Sequence, residues 1–239
     1  MGPTEPGIGK KVPIEGMTEN TFYSGGANYW ATQEASDNGM LGGLGHLSEI
    51  EIQNSEQFLK SVLRLTDPPG TSRVIDCGAG IGRITKNLLQ RYFKVVDLVD
   101  QDPKFIDRAK ENLKDIAQVG ELYCSGLQLF TPNPKTYDVI WCQWVLCYMT
   151  DDDLIQFLQR CSSALLPNGV MIIKENTTRG NAPDVDESDS SVTRSFNGFL
   201  NIFKAANMKV LQYVKQKNFP RDLYPVWIFA VKPITSASD

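Results

Sequence analysis

The chain has 239 residues, 41% of them hydrophobic and 22% charged, with a formal net charge of −4. That length and composition suit one soluble α/β domain with extensions, and no apolar run reaches the roughly 20 residues of a membrane-spanning helix. The acidic balance argues against a broad phosphate-binding face and leaves room for a basic peptide as partner.

Residues 1–20, rich in Gly, Pro and charge, predict a flexible tail, as do residues 235–239. No apolar signal core stands at the N-terminus, so a cytoplasmic or nuclear location is expected. Residues 21–66 predict a helical extension. Aromatics and glycines mix from Thr21 to Gly45, followed by a helix starting near Ser55 with Phe58, Leu59, Val62 and Leu63 on one face. Pro68-Pro69 would end it. A core over residues 67–234 then alternates strands and helices. VIDC (74–77) is a strand and Arg83–Gln90 a helix; VVDLV (95–99) is a second strand. Asp102-Pro103 caps a helix carrying Phe105, Ile106, Ala109 and Leu113. ELYC (121–124) and DVIWC (138–142) are strands three and four. Thr150 caps the next helix, whose acidic start at Asp151, Asp152 and Asp153 suits the dipole of a first turn better than a metal site. Pro167-Asn168-Gly169 breaks that helix before VMIIK (170–174), and MKVLQYV and VWIFAV predict a closing antiparallel pair. Strands alternating with helices mean a doubly wound, mostly parallel sheet.

The five cysteines are odd in number and lack metal-ligand spacing. They predict buried reduced thiols. The single histidine, His46, cannot build a metal cluster alone.

The stretch VIDCGAGIGRIT (74–85) carries the first functional signal. Its spacing is GAGIG rather than GxGxxG, and no Lys-Ser/Thr pair follows, which disfavours a triphosphate loop and weakens a pyrophosphate one. S-adenosylmethionine suits it better. An arginine at a helix N-terminus, Arg83, can hold the carboxylate of the methionine tail. A carboxylate at the end of the second strand, Asp100, stands about 20 residues on, where the ribose rule puts it. A dehydrogenase remains the alternative at this point.

Further motifs make the chain resemble the eukaryotic protein N-terminal α-N-methyltransferases, which methylate the α-amine of proteins beginning Xaa-Pro-Lys or Xaa-Pro-Arg. They run from about Phe22 to Lys232: NYW (28–30), GMLGGLGHLS (39–48), DCGAGIGRITK (76–86), GLQLFTP (126–132), YDVIWCQWVL (137–146), LPNGVMIIKEN (166–176), DSSVTR (189–194) and LYPV (223–226). The resemblance implies a seven-stranded class I methyltransferase fold. It implies S-adenosylmethionine as cofactor, held by Gly78, Gly80, Arg83, Asp100, Leu127, Gln128 and Gln143. The substrate channel it implies takes in Trp30, Leu41, Trp144, Asn176, Asp186, Asp189, Ser191 and Tyr224. Where the family motif QWVxGH ends in a histidine, this sequence reads QWVLCY and places Tyr148. Asp189 thereby becomes the main candidate for proton handling, with Asn176 and Tyr148 beside it. Neither metal, membrane nor nucleic acid is expected as a partner; ribosomal and chromatin-associated proteins are the implied substrates. A non-catalytic reader of N-termini and a small-molecule N-methyltransferase are the competing readings.

Overall fold

The computed structural model describes residues 17–234. The tail expected at 1–16 and the end expected at 235–239 lie outside the described residues. Residues 19 and 20, expected in the tail, begin the first helix.

That helix, α1 (Glu19–Thr32), starts on a capping box in which Thr18 and Thr21 satisfy each other's backbone amides. It runs through two glycines because it must lie close to the core: a Cβ on Gly25 would stand 2.1 Å from Ser190 Oγ. A short α2 (Asp37–Met40) and a 3₁₀ turn at Gly45–Leu47 lead into α3 (Ser48–Val62). The helix expected from Ser55 therefore starts seven residues earlier. Its first turns, SEIEIQN, read as polar, yet Glu51 and Ile52 face inward. It also ends at Val62, before the two prolines.

The core follows the expected alternation: β1 (Arg73–Cys77), α4 (Arg83–Asn87), β2 (Val95–Asp100), α5 (Pro103–Leu113), β3 (Val119–Cys124), β4 (Tyr137–Gln143), α6 (Asp151–Ala164) and β5 (Leu165–Asn176). Asp102 caps α5 by accepting from Lys104 N, with Pro103 in the first turn; Thr150 caps α6 by accepting from Asp153 N. α6 ends at Ala164, ahead of Pro167-Asn168-Gly169, but β5 already starts at Leu165 rather than after them. The three residues bulge within it, since Tyr137 pairs with Leu165 and Val139 with Val170. A hairpin and a helix went unread in the sequence. A hairpin of β6 (Asp184–Asp186) and β7 (Ser191–Thr193) carries the acidic run, and α7 (Phe196–Ala205) precedes β8 (Met208–Lys215) and β9 (Val226–Pro233).

The main sheet has seven strands in the order β3-β2-β1-β4-β5-β9-β8. β1 to β5 pair in parallel, while β9 lies antiparallel to both β5 and β8. Alternate residues face opposite layers. Ile75, Ile140, Ile173 and Phe229 pack with Phe157, Leu158, Phe199 and Phe203 of α6 and α7. Val74, Val139, Ile172 and Ile228 pack with Phe58, Leu59 and Leu88 on the other face. All five cysteines are free thiols, but Cys124, at the end of the edge strand β3, is exposed rather than buried. No helix among the described residues is long and apolar enough to cross a membrane.

α1 and α2 lie over the carboxyl ends of the parallel strands, while α3 packs on one face of the sheet. Lys104 Nζ, from α5, donates to the carbonyls of Ala31 at 2.8 Å and Gln33 at 2.7 Å, closing the C-terminal end of α1. Tyr23 Oη, near the other end of α1, donates to Asp153 Oδ2 at the start of α6. The helix is thus tied to both sides of the crevice beneath it.

Candidate active site

The crevice opens where the strand order reverses, between the ends of β1 and β4, the place where open α/β sheets bind ligands. It holds about 980 Å³ of empty space, open solvent included. Gly78, Gly80, Arg83, Asp100, Leu127, Gln128 and Gln143 all line it.

The glycine loop after β1 forms one wall. Gly78 and Gly80 have φ of +71° and +55°, a region that side chains avoid. A Cβ on Gly78 would meet Val145 Cγ2 at 2.4 Å, and one on Gly80 would meet Met40 Sδ at 2.5 Å. Bare backbone therefore faces the crevice. Beside it, Asp100 Oδ2 accepts from Gly80 N at 2.8 Å and Oδ1 from Asp102 N at 3.0 Å. Burial pushes this carboxyl up from its ordinary range, against those backbone bonds. Leu127 and Gln128 sit in the turn after β3, their carbonyls held by Arg160 Nη2 at 2.9 and 3.1 Å.

Arg83 opens α4 and is buried. Its Nη1 donates to Ser48 Oγ at 3.1 Å and pairs with Glu51 Oε1. Gln143, at the last position of β4, is tied into the same cluster. Its Nε2 donates to Glu51 Oε2 at 2.8 Å and its Oε1 accepts from Trp141 Nε1 at 3.3 Å. Behind the loop, Asp76 is buried against Thr85, which donates to it at 2.8 Å, and burial raises its carboxyl to about 6.

An unencumbered loop, a carboxylate able to take vicinal hydroxyls and a guanidinium able to take a carboxylate fit a nucleoside bearing an amino-acid tail. S-adenosylmethionine is such a molecule.

Trp30, Trp144 and Tyr148 also line the crevice. Trp144 follows β4 with φ +53°, a conformation its neighbours hold: its N donates to Lys174 O at 2.9 Å and its Nε1 to Asn176 Oδ1 at 3.2 Å. Tyr148 packs edge-on against Trp30, ring centres 5.7 Å apart. Its hydroxyl donates to Asp189 Oδ2 at 3.0 Å, while Asp189 Oδ1 accepts from Ser191 N at 3.0 Å. Burial, with the Asp189 carboxylate, pushes the Tyr148 phenol far above its ordinary range, so it stays protonated.

Other residues expected in the channel do not line the crevice. Asn176 and Asp189 reach its wall only through Trp144 and Tyr148. Leu41 caps the end of α2, and the turn of that helix presents Met40 instead. Ser191 contributes its backbone amide to Asp189. Asp186 is exposed on the β6–β7 hairpin, where Ser188 donates twice and holds its carboxyl below the usual range. Tyr224 donates to Asp184 of the same hairpin, so both stand outside the crevice on its acidic side. Glu51, Lys174, Tyr23 and Lys104 were not legible as site residues in the sequence, since each acts across a long separation in the chain.

The comparisons with known proteins bear on this geometry. A family model described as AdoMet-dependent proline di-methyltransferase matches residues 18–232. N-terminal Xaa-Pro-Lys N-methyltransferase 1-B of Xenopus laevis is 44% identical over 216 residues, 90% of this chain and 96% of the relative. N-terminal Xaa-Pro-Lys N-methyltransferase 1 of Homo sapiens is 43% identical over the same shares. Among solved structures, a SAM-dependent methyltransferase of Leishmania major superposes with a TM-score of 0.84 at 37% identity, covering 88% of this chain and 83% of that one. The Haemonchus contortus phosphoethanolamine N-methyltransferase 1, with a TM-score of 0.75 at 18% identity and 93% and 51% coverage, shares the fold. With nearly the whole described chain matched and the crevice suited to the donor, this protein belongs to the AdoMet-dependent proline di-methyltransferase family.

Proposed function

We propose that this chain transfers the methyl group of S-adenosylmethionine to the α-amine of protein N-termini that begin Xaa-Pro-Lys or Xaa-Pro-Arg. The observation that carries the reading is Tyr148, which lines the crevice with Trp30 and Trp144 and donates to Asp189. The names of the Xenopus laevis and Homo sapiens relatives support the same substrate class.

The bound sulfonium supplies an electrophilic methyl, and transfer to nitrogen forms a C–N bond as the C–S bond breaks. Positioning provides much of the catalysis of such an in-line displacement. The amine must be neutral to attack, and an α-ammonium loses its proton near pH ~8. Asp189 accepts that proton. Tyr148, protonated throughout, holds the carboxylate in place from the crevice wall. The indole faces of Trp30 and Trp144 favour the nitrogen whenever it is cationic. A second-position proline stiffens the entering peptide, and the acidic β6–β7 hairpin lies ready for a basic third residue. By the sequence resemblance, the substrates are ribosomal and chromatin-associated proteins with exposed ends of this type, met in the cytoplasm or nucleus.

Incubation with labelled S-adenosylmethionine and a Ser-Pro-Lys peptide, beside an N-acetylated copy, tests this. Label on the free peptide alone is expected. Measurable peptide binding with label on neither would make the protein a reader of N-termini, and label on both would remove the α-amine as acceptor.

A further inference from the structure

Lys174 takes no part in the chemistry above, yet it is wholly buried in β5. An ammonium so placed is retained only with good partners. Its Nζ donates to Glu51 Oε2 at 2.8 Å, to the Glu51 carbonyl at 3.0 Å and to Ser55 Oγ at 2.9 Å, so all three acceptors come from α3. On its other side the ammonium lies 5.0 Å from the centre of the Trp144 ring. One charge therefore touches both the acid that orients Arg83 and the indole that faces the crevice.

Glu51 is divided between two cations. Oε1 takes Arg83 Nη1, while Oε2 takes Lys174 and Gln143. A carboxylate left alone with an arginine grips it through two parallel bonds. Here the second oxygen is withheld, and among the described residues every hydrogen bond of Arg83 leaves from Nη1. Nε and Nη2 remain for an anion in the crevice that Arg83 lines. Asp76 is the other acid whose charge Arg83 feels, but its hydrogen bond goes to Thr85.

We propose that Lys174 is a positioning residue for both halves of the site, keeping Arg83 open to the cofactor's carboxylate by occupying Glu51 and fixing the Trp144 indole as a wall for the peptide end. The inference rests on the function proposed above. Removing Lys174 alone would leave Glu51 one cation short in the interior and destabilise the fold, whereas replacing a whole buried ion cluster by apolar side chains is often neutral or stabilising. Retention of the charged cluster here fits a positioning role.

The test compares two ligands on Lys174→Met and Lys174→Gln by calorimetry. S-adenosylhomocysteine carries the amino-acid tail; 5′-methylthioadenosine shares its nucleoside and thioether but lacks the carboxylate. Loss of one charge-assisted contact to Arg83 should weaken S-adenosylhomocysteine about tenfold and leave methylthioadenosine within about twofold. KM for the Ser-Pro-Lys peptide should rise in the same variants as Trp144 loses its support. Equal weakening of both ligands, or of neither, would reduce Lys174 to a packing role and overturn the proposal. Should both variants fail to fold, Ser55→Ala, which removes one acceptor, is expected to shift the affinity ratio in the same direction by about threefold, and an unshifted ratio overturns the proposal equally. Wild-type protein that binds both ligands yet labels no peptide would sink the proposed function, while the affinity ratio would still decide the role of Lys174 toward Arg83.

Discussion

Tyr148→Phe removes one atom from the site and leaves the rest in place. The lost hydroxyl donates to Asp189 Oδ2 at 3.0 Å, one of two donors that hold the carboxylate, the other being Ser191 N. A hydrogen bond to a charged acceptor contributes ~1.5–3 kcal/mol. Asp189 is half-exposed, so water replaces part of the interaction and the low end applies. If the positioning is needed only as the proton leaves, that energy falls on kcat, a decrease of about tenfold. The phenyl ring keeps its edge contact with Trp30, so KM for a Ser-Pro-Lys peptide should stay within about threefold. Affinity for S-adenosylhomocysteine should not change, because the hydroxyl is engaged with Asp189, which does not line the crevice. Steady-state kinetics with calorimetry separates these quantities. An unchanged kcat, or a kcat loss matched by an equal loss of cofactor affinity, would show that the pair does not act as argued.

Asp189→Asn should lower kcat at least tenfold near neutral pH by removing the proton acceptor, and undiminished turnover would refute that role. Gly78→Ala would force a side chain onto φ +71° and within 2.4 Å of Val145 Cγ2. We expect destabilisation of ~1–3 kcal/mol and loss of the thermal shift that S-adenosylhomocysteine produces; a retained shift counts against the loop as the cofactor's wall. Glu175 accepts from Val145 N and Leu146 N in a fully buried place, and burial raises its carboxyl to about 7 from 4.5. Between those two values the folded chain binds the proton more tightly than the unfolded chain, so this group's contribution to stability falls as pH rises from 4.5 to 7, by at most about 3 kcal/mol. Asp76, raised to about 6, adds to the decline at lower pH. Glu175→Gln keeps an acceptor for both amides and should flatten that slope in chemical denaturation; a variant with the wild-type slope would refute the assignment.

The sheet was legible because its central parallel strands β1, β2 and β4 are buried on both faces and read as short apolar runs between capped helices, as at Asp102-Pro103 and Thr150. The glycine loop and Asp100 were legible because a tight turn and a strand end leave local marks. The start of α3 was not, since Glu51 looks like a solvated acid until Lys174, 123 residues later in the chain, meets it in the interior. The hairpin of β6 and β7 hid in an acidic stretch with only three residues on each strand. Residues such as Leu41 and Tyr224 show the limit of resemblance: a motif names positions, but the turn of α2 and the bond to Asp184 decide what each side chain faces.

The central claim is that a free α-amine at the end of an Xaa-Pro-Lys chain receives the methyl. Tandem mass spectrometry of a Ser-Pro-Lys peptide after incubation with protein and S-adenosylmethionine tests it most directly. The added mass should reside on the first residue's nitrogen; added mass on the lysine side chain, or an N-acetylated peptide modified as readily as the free one, would contradict the account.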